Sequence, residues 1–575
     1  MGSSSRIERW LPGIEALRSY DRSWLGNDLV AGLSVAAVAL PIGIAYAQLA
    51  GFPPVVGIYS AILPAVAYAL VGSSRQLVVN PDAAACSIVA ATVAPLAAGS
   101  SERYLELSIL LTCFTGILLI IGGLSGLGAI ANFLSRPILT GYLNGIALTI
   151  IVGQLGSLLG YRVPSGGFFR TLYDAATRLN ETHRTTFIIG LSLLVLILLI
   201  KRFAPRLPAP LIAAALGCGV VYVLDLGSKG VASVGAVPAG FQAPAIPHFQ
   251  MAEIGPLLFG ASGIALVSFC SMMTTARGFA AKNGYAIDVN RDMFALGVSD
   301  LASAFSRGFV VSGADSRTAV ADSAGGKSQV TTLVAALVMT AVLLFLTKPL
   351  SYVPTAALAA ILITSAMGLF DLASLRRYYR ISKSEFRHSL AATIGVMTLG
   401  VLPGVLIAVA LAIIKLLRRA SHPPDALLGV VSGDDGDDFR TEEEGGVAIP
   451  EMLIYRFESS IVFFNADYFT ERVRSVIINA TEKPKYVLLD AESIPFIDVS
   501  GVFALESLLT ELTNQGIAFG IARAPLLTHR MLERGGVCKS IGPENLFQTI
   551  HAGMKSFQKV EGKVSETDSG SNKHG

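Results

Sequence analysis

Over the first 420 residues the chain alternates between long apolar runs and short breaks rich in polar residues, glycine and proline. A helix needs roughly 17–25 mostly apolar residues to cross a bilayer, unless it is broken or shielded by other protein. By that measure the runs near 28–46, 54–71, 82–96, 104–123, 136–160, 185–201 and 208–224 are one set of spans. Those near 256–280, 290–306, 315–325, 328–347, 354–369, 386–402 and 404–419 are a second set. The pattern therefore predicts a mainly α membrane protein with about 14 transmembrane segments in two halves. Two runs, 82–96 and 315–325, are too short to cross alone. Beyond them the pattern changes. Residues 421–450 contain HPPDALLGVVSGDDGDDFRTEEEGG, with no helical period, and read as a solvated acidic linker. MLIYRF, SIVFF, YVLLDA and AFGIA then read as strands, set among amphipathic segments near 467–480, 500–514, 525–534 and 543–556. Strands alternating with helices predict a small α/β domain over 451–560, followed by a polar, disordered tail over 561–575.

Residues 1–27 carry Arg6, Arg9, Arg18 and Arg22 but no short apolar core with a cleavage site. They read as a cytoplasmic leader along the membrane surface, with Trp10 and Trp24 at the interface. A soluble N-terminal helix fits the same residues.

Composition supports a membrane protein. Hydrophobic residues make up 52% and charged residues 15% of the chain, against about 25% charged in soluble domains. Mean hydropathy is +0.60. A formal net charge of +3 provides no global attraction for nucleic acid. Cys86, Cys113, Cys218, Cys270 and Cys538 have no metal-ligand or disulfide spacing and read as small buried hydrophobes. His183, His248, His388 and His422 lack partners at useful spacing, so no enzyme, cofactor or metal site is expected. Basic residues orient the spans. Arg136, Lys201, Arg202, Arg206, Arg277, Lys282, Arg376, Arg377, Arg380, Lys383, Arg387, Arg418 and Arg419 fall on one side. The loop 161–184, with Arg162, Arg170, Arg178 and Arg184, is the exception on the other. The bias places both termini in the cytoplasm, in a multi-pass plasma (inner) membrane protein.

The two short segments share a preface. SRQLVVN at 74–80 precedes Pro81 and Asp82, and SRGFVVS at 306–312 precedes Gly313 and Asp315. An odd number of spans per half makes the halves inverted relative to each other. Matching interrupted segments in inverted halves mark secondary transporters. The β-branched pairs predict extended backbone, which Pro81 or Gly313 keeps from continuing as helix. Helices then start deep in the membrane, each with unpaired N–H groups and a partial positive charge. Two such starts at the midplane make a pocket suited to an anion. Kinked helices with no ligand would be the plain structural explanation.

Four segments together resemble the SulP anion transporter family. They are ALPIGIAYAQLAGFPPVVGIYSAILPAVAYALVGSSRQL at 39–77, RGFAAKNGYAIDVNRDMFALGVSDLASAF at 277–305, VVSGADSRTAVADSAGGKSQV at 310–330 and VLLDAESIPFIDVSGVFALESL at 487–508. The last is similar to the core of a STAS domain. The resemblance implies a seven-plus-seven inverted repeat, with repeats at 28–224 and 256–420, in which a core moves elevator-like against a gate. It also implies solutes such as sulfate, bicarbonate, chloride, oxalate or dicarboxylates, and a homodimer with cytoplasmic STAS domains. By motif position it implies a substrate site of Tyr46, Asp82, Ala83, Asp315, Ser316 and Arg317.

The chain departs from the family pattern at Ile42, where a glutamine is common, and at Ser271, where many bacterial members carry a glutamate associated with coupling. Aspartates also stand at both half-helix starts. A carboxylate there caps N–H groups, worth about 0.5–2 kcal/mol. Within a membrane, ionisable residues are functional candidates, and two carboxylates facing one cavity repel, which favours one proton between them. Asp82 and Asp315 are therefore candidates for a coupling proton, in preference to sodium, with simple capping as the competing role. Arg317 can fork onto an anion or pair with Asp315 or Asp82. Arg75 and Arg307 are expected to anchor the crossovers, away from solute.

In the STAS-like segment the turn IDVSG at 497–501 keeps Asp498 and Ser500 but has Val499 in place of a hydroxyl. Both can cap the next helix. Ser500 is also a candidate regulatory phosphorylation site, in a domain that could bind a cytoplasmic protein partner. Nothing resembles a nucleotide-binding loop. The leading functional expectation is secondary active, proton-linked transport of a small anion of the sulfate, bicarbonate or dicarboxylate class. The alternatives are a passive anion channel or exchanger of the same fold, a membrane-tethered STAS signalling scaffold, and a nucleobase-type proton symporter.

Overall fold

The computed structural model describes residues 13, 20–128, 136–161, 167–205, 207–244, 247–248, 250–433, 436–441, 444–480 and 482–558. Most of the expected leader, Arg162, Arg206 and the expected tail 561–575 lie outside the described residues. The chain divides into two compact units, Met1–Ala412 and Ile413–Gly575.

The first unit is helical. Its first half runs α1 (Leu25–Leu49), α2 (Pro54–Val71), β1 (Val79–Asn80), α3 (Ala83–Ala97), α4 (Ser101–Leu124), α5 (Arg136–Gly153), α6 (Leu155–Leu159), α7 (Phe168–Thr177), α8 (Arg184–Phe203) and α9 (Ala209–Val223). Its second half runs α10 (Met251–Asn283), α11 (Val289–Phe305), β2 (Ser312–Gly313), α12 (Asp315–Ser323), α13 (Val330–Phe345), α14 (Thr347–Leu350), α15 (Thr355–Leu369), α16 (Leu372–Ile381) and α17 (Lys383–Leu399). A last helix, α18 (Val401–Ser421), continues past the unit boundary. Among the described residues seven helical stretches are long and apolar enough to cross a membrane, and α3, α9 and α13 are shorter apolar helices.

Small residues let the helices meet. A Cβ on Gly57 of α2 would stand 2.0 Å from the Gly43 carbonyl of α1, and one on Gly297 of α11 would stand 2.5 Å from the Gly116 carbonyl of α4. Only glycine permits such contacts, and small residues are the usual means of close helix packing in a bilayer. The helices α1, α2, α3, α4, α10, α11, α12 and α13 pack mainly with one another, whereas α5 packs with α17 and α8 with α15. Two amphipathic helices had no counterpart among the predicted spans. These are α7, inside the expected loop 161–184, and α16, between two expected spans. The expected span 136–160 is two helices meeting at Gln154.

The second unit is a six-stranded mixed sheet with strand order β4-β3-β5-β6-β7-β8. It comprises β3 (Asp425–Gly433), β4 (Gly436–Thr441), β5 (Met452–Phe457), β6 (Tyr486–Asp490), β7 (Ala518–Ala522) and β8 (Leu546–Phe547). The strands β5 to β8 are parallel and β3 and β4 antiparallel. Crossovers are made by α19 (Ala466–Ile478), α20 (Val499–Asn514), α21 (Leu526–Arg534) and α22 (Val537–Ile541). SIVFF is not a strand. It makes a single bridge, Ile461 with Ile497.

The expected linker is corrected here. Residues 425–441 form a hairpin added to the sheet, with β3 pairing β5 from Asp425 opposite Phe457 to Leu428 opposite Ile454. Leu428 is buried, and Asp425 accepts hydrogen bonds from the Tyr455 hydroxyl at 3.0 Å and Arg472 Nε at 2.9 Å. The apolar run ALLGVV covers the edge of β5, whose backbone groups would otherwise lack partners. Of the acidic residues that suggested a tether, Asp425 opens β3, Asp437 and Asp438 are in β4, and Glu444 follows it.

Candidate functional site

The two shared prefaces meet. β1 and β2 pair antiparallel, with Val79 opposite Gly313 and Asn80 opposite Ser312. Asn80 and Ser312 end the two matched motifs, so equivalent residues face each other across a local two-fold axis. This is the geometry of an inverted repeat. Two bonds extend the pairing. Ala314 N donates to the Val78 carbonyl at 2.9 Å, and Val78 N donates to Thr318 Oγ1 at 3.1 Å. The Ser312 hydroxyl donates to the Ser268 carbonyl of α10 at 2.9 Å. A Cβ on Gly313 would stand 2.6 Å from Met272 Cγ, so β2 lies directly against α10.

From this crossing α3 and α12 start, and their starts differ. Asp82 is the N-cap of α3, its Oδ2 accepting from Ala84 N at 3.2 Å. The equivalent position in the second half is Ala314, which caps nothing with its side chain. Asp315 is the first residue of α12. Capping therefore accounts for Asp82 and not for Asp315. Asp315 and Ser316 keep solvent contact, whereas Arg317 and Thr318 are buried. The two aspartates and Arg317 are near enough for their charges to act on one another.

Arg317 is held without a carboxylate. Its Nη2 donates to the Pro81 carbonyl, its Nη1 donates to Ser316 Oγ at 3.3 Å, and its guanidinium lies 5.5 Å from the centroid of the Tyr46 ring. Its Nε is buried and has no hydrogen-bond partner among the described residues. Among the described residues it makes no ion pair with Asp82 or Asp315, so of the two roles open to it the carboxylate pair is not found. A backbone carbonyl, a hydroxyl and an aromatic face occupy the guanidinium instead, and its positive charge is not cancelled by direct contact. Tyr46 and Ala83 are buried at the same crossing, in one apolar cluster with Val78.

Sequence reading missed Tyr142 of α5. Among the described residues its buried hydroxyl has no hydrogen-bond partner, and it lies within electrostatic range of Asp82. A lone tyrosine on an apolar span carries no signal that separates it from packing. Arg75 lies over the Tyr285 ring at 5.7 Å, and Arg307 Nη1 donates to Gln242 Oε1 at 3.0 Å. The first crossover is fixed chiefly by glutamines. Gln329 Nε2 donates to the Ser74 and Leu77 carbonyls at 2.8 and 2.9 Å, and Gln76 Nε2 to the Gly326 carbonyl at 3.2 Å. Ile42 is buried in α1 and Ser271 half-buried in α10.

In the second unit Asp498 caps α20, its Oδ1 accepting from Gly501 N at 2.8 Å and its Oδ2 from Phe463 N at 2.8 Å. Ser500 is the exposed second residue of that helix. Among the described residues no cluster of His, Cys, Asp and Glu could hold a metal ion.

Residues 25–392 match the sulfate permease family, and residues 439–553 match the STAS domain. A probable sulfate transporter of Mycobacterium tuberculosis is 38% identical over 96% of this chain and 98% of its own length. High affinity sulfate transporter 1 of Stylosanthes hamata is 29% identical over 95% and 86%. Among solved structures, the murine solute carrier 26 family member A9 anion transporter in its inward-facing state superposes with a TM-score of 0.89 at 24% identity, covering 97% of this chain and 96% of that one. The transmembrane domain of the cyanobacterial bicarbonate transporter BicA superposes with a TM-score of 0.60 at 22% identity, covering 68% and 98%. The inverted crossing, the arginine beside two half-helix starts and these likenesses converge: the chain belongs to the sulfate permease family of membrane anion transporters and carries a C-terminal STAS domain.

Proposed function

We propose that this protein is a secondary active transporter of a small oxyanion of the sulfate class, coupled to a proton, with its solute held between the starts of α3 and α12. The observation that carries the reading is Arg317. It is buried, held by Pro81, Ser316 and Tyr46, free of a carboxylate contact, and next to two helix N-termini whose dipoles favour negative charge. The names of the relatives, sulfate transporters in a bacterium and a plant, point to the same class. Tyr46, Asp82, Ala83, Asp315, Ser316 and Arg317 form the proposed lining. Asp315 is the better proton carrier of the two aspartates, because no capping bond uses its carboxylate.

Binding of sulfate, bicarbonate and a dicarboxylate to the purified protein, each measured across pH, tests the reading. Sulfate should bind, and Arg317→Gln should weaken it at least tenfold, since loss of a buried charge contact costs about 2–5 kcal/mol. Sulfate binding unchanged in Arg317→Gln would refute the site. Asp315→Asn should flatten the pH dependence of uptake in liposomes, and uptake with the parental pH profile would remove Asp315 as the carrier. Accumulation against a gradient separates this mechanism from a passive channel. The further proposals are a homodimer in the plasma membrane with both termini cytoplasmic, and Ser500 as a phosphorylation site that controls a protein partner at the STAS domain. Cross-linking and phosphopeptide mapping check them.

A further inference from the structure

The helix α16 carries chemistry that solute transport does not use. Asp371 caps it, Oδ1 accepting from Ser374 N at 2.9 Å, and Asp371 N donates to Asn144 Oδ1 of α5 at 2.7 Å. The Tyr378 and Thr140 hydroxyls are 3.2 Å apart, and the Tyr379 ring meets Phe386 of α17 edge-on at 5.3 Å. These contacts seat α16 across the ends of α5 and α17. It contains no fully buried residue.

Its faces are sorted. Ser374, Leu375 and Tyr378 are half-buried toward the bundle. At 3.6 residues per turn, Arg376, Arg377 and Arg380 fall within an arc of about 100° on the opposite side. Leu372 and Tyr379, 45% and 56% exposed, lie on the flank between them. Among the described residues none of the three arginines has an ion pair or hydrogen bond. Arg136, Lys383 and Arg387 add exposed cations at the adjoining ends of α5 and α17. The helix sits between the end of α15 and the start of α17, and its mixed composition suits the level at which hydrocarbon gives way to headgroups. An exposed apolar flank with tyrosines beside a row of cations is what an interfacial helix presents to lipid. At the other end of α5, α7 also packs on α5 and α17 and exposes Phe169, Leu172 and Tyr173, but it carries one arginine, set 4.0 Å from Asp174. The cationic face belongs to α16 alone of the two.

We propose that α16 is a binding surface for anionic phospholipid, in which Arg376, Arg377 and Arg380 hold headgroup phosphates while Leu372 and Tyr379 enter the acyl boundary, anchoring the α5–α17 pair to one leaflet. The charge complementarity favours lipid over protein, because the arginines adjoin an apolar flank that lies at the bilayer edge.

The test uses the full-length protein purified from membranes and equilibrated with equal phosphatidylglycerol and phosphatidylcholine, with retained lipid read by native mass spectrometry. Wild type should retain phosphatidylglycerol in excess. A cation near an anionic surface contributes roughly fivefold, so the triple variant Arg376→Gln, Arg377→Gln, Arg380→Gln should lose on the order of tenfold or more of that excess. The triple change to lysine should keep most of it. Equal retention in wild type and the glutamine variant overturns the proposal. A second measurement does not depend on that variant folding. Tyr379→Trp, in a Trp10→Phe, Trp24→Phe background, should be quenched more by brominated phosphatidylglycerol than by brominated phosphatidylcholine in vesicles. Equal quenching overturns lipid selectivity. No quenching by either overturns lipid contact and assigns the face to protein or water.

Discussion

At the residue scale the site depends on which polar groups are already committed. Asp82 and Asp315 read alike in the sequence, each a carboxylate where a half-helix starts. One caps α3 and the other caps nothing. Asp82→Ala should lower the stability of the purified protein by about 0.5–2 kcal/mol, the usual cost of losing an N-cap. Thermal unfolding in detergent measures this, and an unchanged melt would show that the Asp82 cap contributes nothing to stability. Arg317 shows the same logic from the cationic side. The sequence left it between an anion and a carboxylate partner, and its real partners are a backbone carbonyl, a hydroxyl and a ring face. The hydroxyl is that of adjacent Ser316, but the carbonyl and the ring belong to Pro81 and Tyr46, more than 230 residues away in the chain.

At the scale of elements, apolar periodicity found nearly all the long helices, because a span has to be uniformly apolar and its ends are marked by charge and proline. It did less well where an element is short or has only one apolar face. The helices α7 and α16 have mixed composition and were absorbed into loops. The hairpin β3–β4 reads as a tether because its second strand and the residues after it are rich in Asp and Glu, although its first strand is apolar. Its contribution can be measured. A fragment spanning 424–558 should melt higher and more cooperatively than one spanning 451–558, which lacks the strand bonded to β5 and the buried Leu428. Matching melts would return residues 425–441 to the role of a linker.

At the scale of the whole molecule, the proposed reading assigns transport to the first unit and regulation to the STAS domain. A chain ended at Ser421 should therefore still bind sulfate. One ended at Pro450 should bind it too but aggregate more readily, because β3 then carries an unpaired edge that β5 normally covers. Size-exclusion profiles and sulfate binding of the two shortened chains decide this. Loss of all binding in the Ser421 chain would favour a function centred on the STAS domain.

The membrane class, the spans, the repeated SRQLVVN and SRGFVVS motifs and the STAS-like segment were all determined by local sequence. Each rests on composition or period within a few dozen residues, and such terms do not depend on distant contacts. The inverted halves could also be inferred, since an odd number of spans forces the inversion. Only the tertiary structure decided that Asn80 faces Ser312, that Asp82 caps while Asp315 does not, and that Arg317 rests on Pro81 and Tyr46. A one-residue difference in where two half-helices start is invisible in a motif. It depends on where each chain stops pairing with the other and begins to turn, and that is settled by contacts between the two halves.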